Sequence, residues 1–204
     1  MPIEDLYVCS DFISRPKRRR DRPREIDFEQ FTSEIYRAVV LGNPGSGKST
    51  LSSKLCNDLS RNHDRRLLAR RRVTPILVVL RDYGAEKKSQ KCSILQFIEG
   101  IANSKYQVEP PKGAFEYLLL NGRAFVIFDG LDELLDTSYR QEISDDIESF
   151  CGLYPSVPVL VTSRGSDTNK HRWMAGNSRS FASQSSTMNK FETTRTSGSL
   201  RTRI

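Results

Sequence analysis

A glycine-rich stretch, 42-GNPGSGKS-49, has the residue types and the spacing to bind a phosphate group. It fits the pattern GxxxxGK[ST] at every defined position, and Thr50 follows it. Glycines here let the backbone turn so that successive N–H groups face an anion. Lys48 would reach the outer phosphates of a nucleotide, and the Ser49 hydroxyl would bind Mg²⁺. The predicted nucleotide-binding residues are Gly42, Asn43, Pro44, Gly45, Ser46, Gly47, Lys48, Ser49 and Thr50.

Three carboxylates stand close together in 125-FVIFDGLDEL-134, namely Asp129, Asp132 and Glu133. Like charges repel, by roughly 1 kcal/mol per pair at about 4 Å in water, so the cluster calls for a positive partner. Asp129 directly follows an apolar run, as expected of an acid that binds Mg²⁺ at the end of a strand near a phosphate-binding loop. Taken alone, Asp129 could equally be an ordinary strand end; the nearby glycine motif favours the metal role.

Short apolar runs alternate with amphipathic segments along the chain. Strands buried on both faces are predicted at 38-AVVLG-42, 76-ILVVL-80, 124-AFVIF-128 and 157-VPVLVT-162. Helices are predicted over 48–61, 92–102, 113–121 and 138–154. This alternation predicts an α/β fold of three layers, with a mostly parallel sheet between helices. The glycine motif and the acids both follow strands, so they should meet at the carboxyl edge of the sheet.

The strand predicted at 76–80 separates the two motifs along the chain. We expect it to lie between the strand of the glycine motif and the strand of Asp129. An inserted strand is typical of the additional-strand ATPases among P-loop NTPases, and not of small kinases or Ras-like GTPases. The sequence has no NKxD motif for guanine, which favours ATP or dATP over GTP.

The net charge of +7 includes two basic runs, 17-KRRRDRPR-24 and 65-RRLLARRR-72. Such runs can bind nucleic acid, but no aromatic residues interleave with them, which favours a solvated surface and leaves nucleic acid as the lesser alternative. No apolar run approaches the roughly 20 residues of a membrane span, and the N-terminus does not resemble a signal peptide. The cysteines have no metal-ligand or CxxC spacing, so reduced thiols in the cytoplasm are expected at Cys9, Cys56, Cys92 and Cys151.

With both motifs in view, the chain resembles a NACHT domain, a class of P-loop ATPases that act in signal transduction. The resemblance rests on 40-VLGNPGSGKSTL-51, 77-LVVLRDY-83, 125-FVIFDGLDEL-134 and 157-VPVLVTSR-164. It implies that Asp129 acts on Mg²⁺ as the Walker B acid, and that Glu133 or Asp132 deprotonates the attacking water. It also implies that Arg164 contacts the γ-phosphate as part of a sensor 1 motif, with a surface salt bridge as the alternative role.

The resemblance implies a domain over 26–166. Composition predicts a basic, polar lead-in over 1–25 that is a linker or loosely attached, and a disordered Ser/Thr/Arg-rich tail over 167–204 without apolar periodicity. On this division the domain is a truncated member of the family, without the fifth core strand after the sensor 1 strand, so that 38-AVVL-41 would be an exposed edge.

The implied function is an ATP–Mg²⁺ switch in innate immune or antiphage signalling, which hydrolyses ATP if the missing domains are not essential. The complete protein would form homo-oligomers, with no membrane partner. The alternatives are a nucleic-acid-dependent AAA+-like ATPase and an inert remnant.

Overall fold

The computed structural model of the chain describes residues 12–15, 24–61, 72–134, 136–164 and 179–183. Seven strands in these ranges form one sheet. They are β1 (Phe12–Arg15), β2 (Arg24–Ile26), β3 (Arg37–Leu41), β4 (Thr74–Val79), β5 (Ala124–Asp129), β6 (Val159–Ser163) and β7 (Arg179–Ser183). Their order in the sheet is β2-β1-β7-β3-β6-β5-β4. The pairs from β7 to β4 are parallel, and β1 runs antiparallel to both of its neighbours.

Six α-helices connect or flank these strands in the described ranges. They are α1 (Phe28–Glu34), α2 (Lys48–Ser60), α3 (Leu80–Gln90), α4 (Ile94–Ser104), α5 (Ala114–Leu120) and α6 (Thr137–Leu153). Side-chain oxygens cap several of their first turns, as the orphan N–H groups of a helix require. Ser93 accepts from Gln96 N at the start of α4, where both residues form a capping box, and Asp136 accepts from two N–H groups at the start of α6.

Two apolar clusters cover the two faces of the sheet. Along β5, Phe125 and Ile127 face one cluster, whereas Val126 and Phe128 face the other, which is the period-two alternation of a strand. All six residues of β5 are buried. The predicted three-layer α/β fold with a mostly parallel sheet is therefore confirmed.

The expected position of the strand at 76–80 is wrong. The structure places β4 at the edge of the sheet, beyond β5, and it is β6 that lies between β3 and β5. All five residues of β6 are buried, as an interior strand requires, whereas β4 has buried residues only at alternate positions. Pro75 within β4 lacks an N–H donor and is typical of an edge strand. This signal was present in the sequence.

The expectation that no core strand follows Arg164 is also wrong. Strand β7 pairs in parallel with β3, from Ala38↔Arg179 to Leu41↔Ala182, so 38–41 is not an edge. Phe181 of β7 is buried, and its ring meets that of Phe31 edge-on at 5.0 Å. A five-residue strand with one large apolar side chain has too little periodicity to be detected, and its position depends on pairing with β3 and β1.

Part of the basic lead-in also belongs to the sheet, contrary to the expectation of loose attachment. Phe12 of β1 is buried and stacks on Phe31 with ring centroids 4.2 Å apart. The proposed domain boundary at 26–166 stays a prediction. The disorder expected for the tail, 167–204, is wrong at 179–183, which form β7 because they pair with β3 and β1. The rest of the tail, 167–178 and 184–204, lies outside the described residues, as do most positions of both basic runs.

In the ranges that the structure describes, no helix is long and apolar enough to cross a membrane. Cys56, Cys92 and Cys151 are free thiols. Cys9 lies outside those ranges.

Candidate functional site

The glycine loop, residues 42–49, connects β3 to α2 at the carboxyl edge of the sheet. Gly42 N donates to Ser163 O at 3.1 Å, which joins the start of the loop to the end of β6. A Cβ at Gly42 would lie 2.1 Å from Ser46 Oγ, so a side chain there would displace the loop. Gly47 caps α2 with φ 78, a left-handed conformation that favours glycine. The loop therefore takes its shape from its own glycines and from its hydrogen bond to β6.

The ammonium group of Lys48 lies inside the curve of the glycine loop. Its Nζ donates to Gly42 O at 2.8 Å and to Asn43 O at 3.2 Å. An ammonium has three N–H donors, so a third remains for an anionic ligand. Lys48 also begins α2, whose thirteen residues direct a positive helix terminus toward the loop.

Asp129 ends β5 and is almost fully buried. Its Oδ1 accepts from Thr162 Oγ1 at 2.7 Å and from Ser52 Oγ at 2.9 Å. Thr162 Oγ1 also accepts from Gly130 N at 2.8 Å, so one hydroxyl contacts both the acid and the backbone after it. Three elements thus fix this carboxylate: β5 carries it, and β6 and α2 supply its hydrogen bonds.

The remaining acids lie in a short 3-10 turn, Leu131–Glu133, which we call the acid turn. Asp132 is buried and pairs with Arg164, with Oδ2 2.7 Å from Nε. Its other oxygen, Oδ1, is buried without a hydrogen-bond partner. Glu133 is exposed. The two adjacent acids therefore differ: Asp132 is engaged by a cation, whereas Glu133 faces solvent.

Arg140, in the first turn of α6, binds backbone oxygens at the C-terminal end of the acid turn. Its Nη2 donates to Leu134 O at 2.6 Å and lies 3.4 Å from Asp132 O. These contacts fix the backbone on either side of Glu133 without engaging its carboxylate.

A polar cluster joins α3 and α6 near the acid turn, which both helices contact. Tyr83 Oη donates to Asp146 Oδ2 at 2.6 Å, and Lys87 Nζ lies 2.9 Å from Glu142 Oε1. Burial, and then the hydrogen bond to Asp146, raises the pKa of the Tyr83 phenol far above its usual range. The phenol therefore remains a donor at neutral pH.

A cavity of about 360 Å³ opens between the glycine loop and the acid turn. It brings together ten of the predicted site residues: Pro44, Gly45, Ser46, Gly47, Lys48, Ser49, Thr50, Asp132, Glu133 and Arg164. Gly42 and Asn43 contribute the carbonyl oxygens that hold Lys48. Asp129 does not line the cavity; it lies behind Thr162, which does.

The donors around this cavity fit a Mg²⁺ ion that is bound together with phosphates. Mg²⁺ prefers oxygen ligands and takes one or two protein carboxylates, with waters and phosphate oxygens in its other positions. Ser49 offers a hydroxyl, Asp129 a carboxylate, and Asp132 a buried oxygen without a partner. The described ranges hold no group of three or more His, Cys, Asp or Glu side chains that could bind a metal by themselves. An ion here would therefore depend on the phosphates of its nucleotide.

Cys56 lies one turn after Ser52 on α2, near Asp129. Burial, and then the negative charge of Asp129, raises the pKa of its thiol from 9.0 to about 11. The neutral thiol adds no charge to the site at physiological pH.

Three residues at the site were not identified from the sequence: Ser52, Thr162 and Arg140. Ser52 follows Ser49 by three positions on a predicted helix, a spacing that places both on one face. Thr162 ends a predicted strand two positions before Arg164. These positions could have been noted, but which acid they contact depends on the strand order.

A comparison with protein-family models finds a match to the model described as NACHT domain, over residues 36–202. The match extends past Arg164, after which no further core strand was expected from the sequence. No curated protein matches the chain.

Proposed function

The chain belongs to the NACHT domain family, and on that premise we propose that it is an ATP- and Mg²⁺-dependent switch. Members of the family are nucleotide-binding NTPase modules that bind nucleotide with Mg²⁺ in general, so the chain is a module of that kind. The choice of ATP, the roles of individual residues and the switching are our proposals. The observation that carries them is the cavity that Lys48, Glu133 and Arg164 line together.

Phosphate binding is assigned to the glycine loop and to Lys48. The left-handed conformations of Gly45 and Gly47 are of the kind that turns successive backbone N–H groups toward an anion, and the terminus of α2 adds a partial positive charge. Lys48 keeps a donor free of its two carbonyl contacts, and this donor would bind the outer phosphates.

Ser49 and Asp129 are assigned to Mg²⁺, which when bound neutralises phosphate charge and helps to orient the phosphates. Ser49 is exposed at the start of α2 and would contact the ion through its hydroxyl. Asp129 is set back behind Thr162, which suits contact through a water molecule.

Glu133 is assigned as the general base, in preference to Asp132. A base must reach a water in the cavity, and Glu133 is exposed beside it, whereas the Asp132 carboxylate is already paired with Arg164. On this assignment, Asp132 serves as the ion-pair partner of Arg164. The pair with Asp132 keeps the guanidinium of Arg164 at the cavity, where a γ-phosphate would attract it away from Asp132.

The Arg164–Asp132 pair supports the switching part of the proposal. Arg164 is half-exposed, with 49% of its side chain accessible, and its contact to Asp132 joins β6 to the acid turn. A γ-phosphate would compete with Asp132 for this arginine, and slow hydrolysis would return it. We propose that this exchange controls an oligomerising signal, in innate immunity or antiphage defence, within the cytoplasm.

Nucleotide titration of the full chain and of Lys48→Ala tests the proposal. A fluorescent ATP analogue with Mg²⁺ should bind saturably to the unsubstituted chain and at least tenfold more weakly to Lys48→Ala, because a charge-assisted phosphate contact is lost. Lys105→Ala is the matched control, since Lys105 is an exposed lysine after α4, away from the cavity. GTP is titrated in parallel to test the preference for ATP.

Two outcomes would contradict the proposal. Absence of saturable binding would leave an inert remnant, and turnover that rises several-fold with DNA would favour a nucleic-acid-dependent ATPase.

A further inference from the structure

The carboxylate of Asp129 is held by two hydroxyl groups that lie outside the nucleotide-binding motifs. Thr162 and Ser52 both donate to the same oxygen, Oδ1, at 2.7 and 2.9 Å. Both hydroxyl-bearing residues are fully buried, and Asp129 is 7% exposed. Hydrogen bonds from buried donors to a charged acceptor are short and strong, so they fix the plane of the carboxylate.

The direction of each hydrogen bond follows from the donors available. The backbone N–H of Gly130 can only donate, and it donates to Thr162 Oγ1 at 2.8 Å. The hydroxyl proton of Thr162 is therefore directed to Asp129. Ser52 has a second acceptor, since its Oγ also lies 3.2 Å from Lys48 O on the preceding turn of α2. Thr162 thus constrains Asp129 more strongly than Ser52 does.

The same hydroxyl also fixes the start of the acid turn. Gly130 adopts φ 82, and its carbonyl accepts from Glu133 N at 3.0 Å. By holding Gly130 N, Thr162 connects the Asp129 carboxylate to the turn that carries Glu133. Thr162 therefore positions both Asp129, the proposed Mg²⁺-binding acid, and the turn that carries Glu133, the proposed base.

We propose that Thr162 is a positioning residue for Mg²⁺ binding, with Ser52 as a weaker second. This inference rests on the proposed function, since it concerns the same site. No hydrogen bond from a described residue reaches Oδ2 of Asp129, so the two hydroxyls orient this second oxygen as the one that serves the ion or its water. Loss of such outer-shell partners typically lowers metal affinity 10–100-fold.

The experiment separates nucleotide binding from metal binding. The affinity of the full chain for a non-hydrolysable fluorescent ATP analogue is first measured in EDTA, and Mg²⁺ is then titrated in excess of the chelator at a sub-saturating concentration of the analogue. Thr162→Val removes the hydroxyl and keeps the branched shape, and Thr162→Ser keeps the hydroxyl. Ser52→Ala removes the other donor in a helix that tolerates alanine well.

Thr162→Val should require roughly tenfold more Mg²⁺ to reach half of the Mg²⁺-dependent increase in nucleotide binding. Its nucleotide affinity in EDTA should stay unchanged within about twofold. Thr162→Ser should restore the Mg²⁺ requirement to within roughly threefold, and Ser52→Ala should raise it by roughly threefold. A purely structural role would instead lower the metal-free affinity as well.

An unchanged Mg²⁺ requirement in Thr162→Val overturns the inference, and so do equal losses in Thr162→Val and Thr162→Ser. If Thr162→Val does not fold, Ser52→Ala decides, because an unchanged requirement there contradicts the two-hydroxyl arrangement. Nucleotide binding that Mg²⁺ does not strengthen in the unsubstituted chain rejects the inference alone. Absence of any nucleotide binding rejects the proposed function with it.

Discussion

Replacing Asp132 with asparagine should strengthen nucleotide binding, because Asp132 already holds the arginine that the γ-phosphate needs. Nε of Arg164 lies 2.7 Å from Oδ2 of Asp132. The Asp132 side chain is 5% exposed and that of Arg164 is 49% exposed, so the pair is buried at its acidic end only. Asp132→Asn removes the competing charge and keeps the size of the side chain.

The size of the effect follows from this half-buried geometry. Exposed ion pairs contribute about 0.2–1 kcal/mol, whereas breaking a buried pair costs about 3–5 kcal/mol. Screening at the exposed guanidinium places this pair near the lower range, at about 1 kcal/mol. Since 1.4 kcal/mol corresponds to a factor of ten, nucleotide affinity should rise roughly fivefold.

Glu133→Gln is the matched control, because it removes one carboxylate charge from the same cavity without touching the ion pair. Both substitutions relieve repulsion of the phosphates, and only Asp132→Asn also releases Arg164. Fluorescence titration with an ATP analogue in EDTA should therefore show a larger gain for Asp132→Asn. In an Arg164→Ala background the two substitutions should become nearly equal, which is the signature of coupling between contacting residues.

Turnover measurements on the same variants divide the roles of the two acids. If Glu133 is the base, Glu133→Gln should abolish hydrolysis and Asp132→Asn should retain it. The reasoning is refuted if Asp132→Asn weakens binding, or if its gain equals that of Glu133→Gln with Arg164 present. Loss of turnover in Asp132→Asn alone would make Asp132 the base.

Three further predictions concern the loop, the sheet and pH. Gly42→Ala should weaken nucleotide binding roughly tenfold or more in the same titration, because its Cβ would lie 2.1 Å from the side chain of Ser46 in the loop. Gly100→Ala in α4 has open space around the new Cβ, so it should instead raise the free energy of urea unfolding by about 0.5–1 kcal/mol. Phe181→Ala should lower the free energy of urea unfolding by about 3–5 kcal/mol, and Leu120→Ala, at a site 60% exposed, should change it by less than about 1 kcal/mol; equal effects would contradict the position of β7. The pKa of the Cys56 thiol is raised from 9.0 to about 11, so its contribution to the free energy of unfolding is complete below pH 9 and is lost as pH rises through 11. This loss amounts to about 2–3 kcal/mol. Urea unfolding across this pH range should show a smaller fall in stability for Cys56→Ala, and an identical fall would contradict the raised pKa.

Several elements of this chain could be predicted because nearby residues encode them. The glycine motif and the helix from Lys48 depend on local backbone geometry, and both appear where expected. Helix α3 was missed, because its polar sequence directly continues β4 without a break, and Gly84 lies within it. A helix of this kind is stabilised by its contacts to α6, which no local pattern reveals.

The glycine spacing and the apolar runs were enough to place both motifs at one edge of a parallel sheet, where the structure brings them to one cavity. How the residues at that edge pair with one another depends on the strand order, which no local pattern encodes. Strand order sets β6 beside β5, and this brings Thr162 to Asp129 and Arg164 to Asp132. Strands compete for positions in a sheet through burial and through backbone pairing with strands that are remote in the sequence. Short strands such as β7 are stabilised in the sheet by pairing with the strands on either side, here β1 and β3.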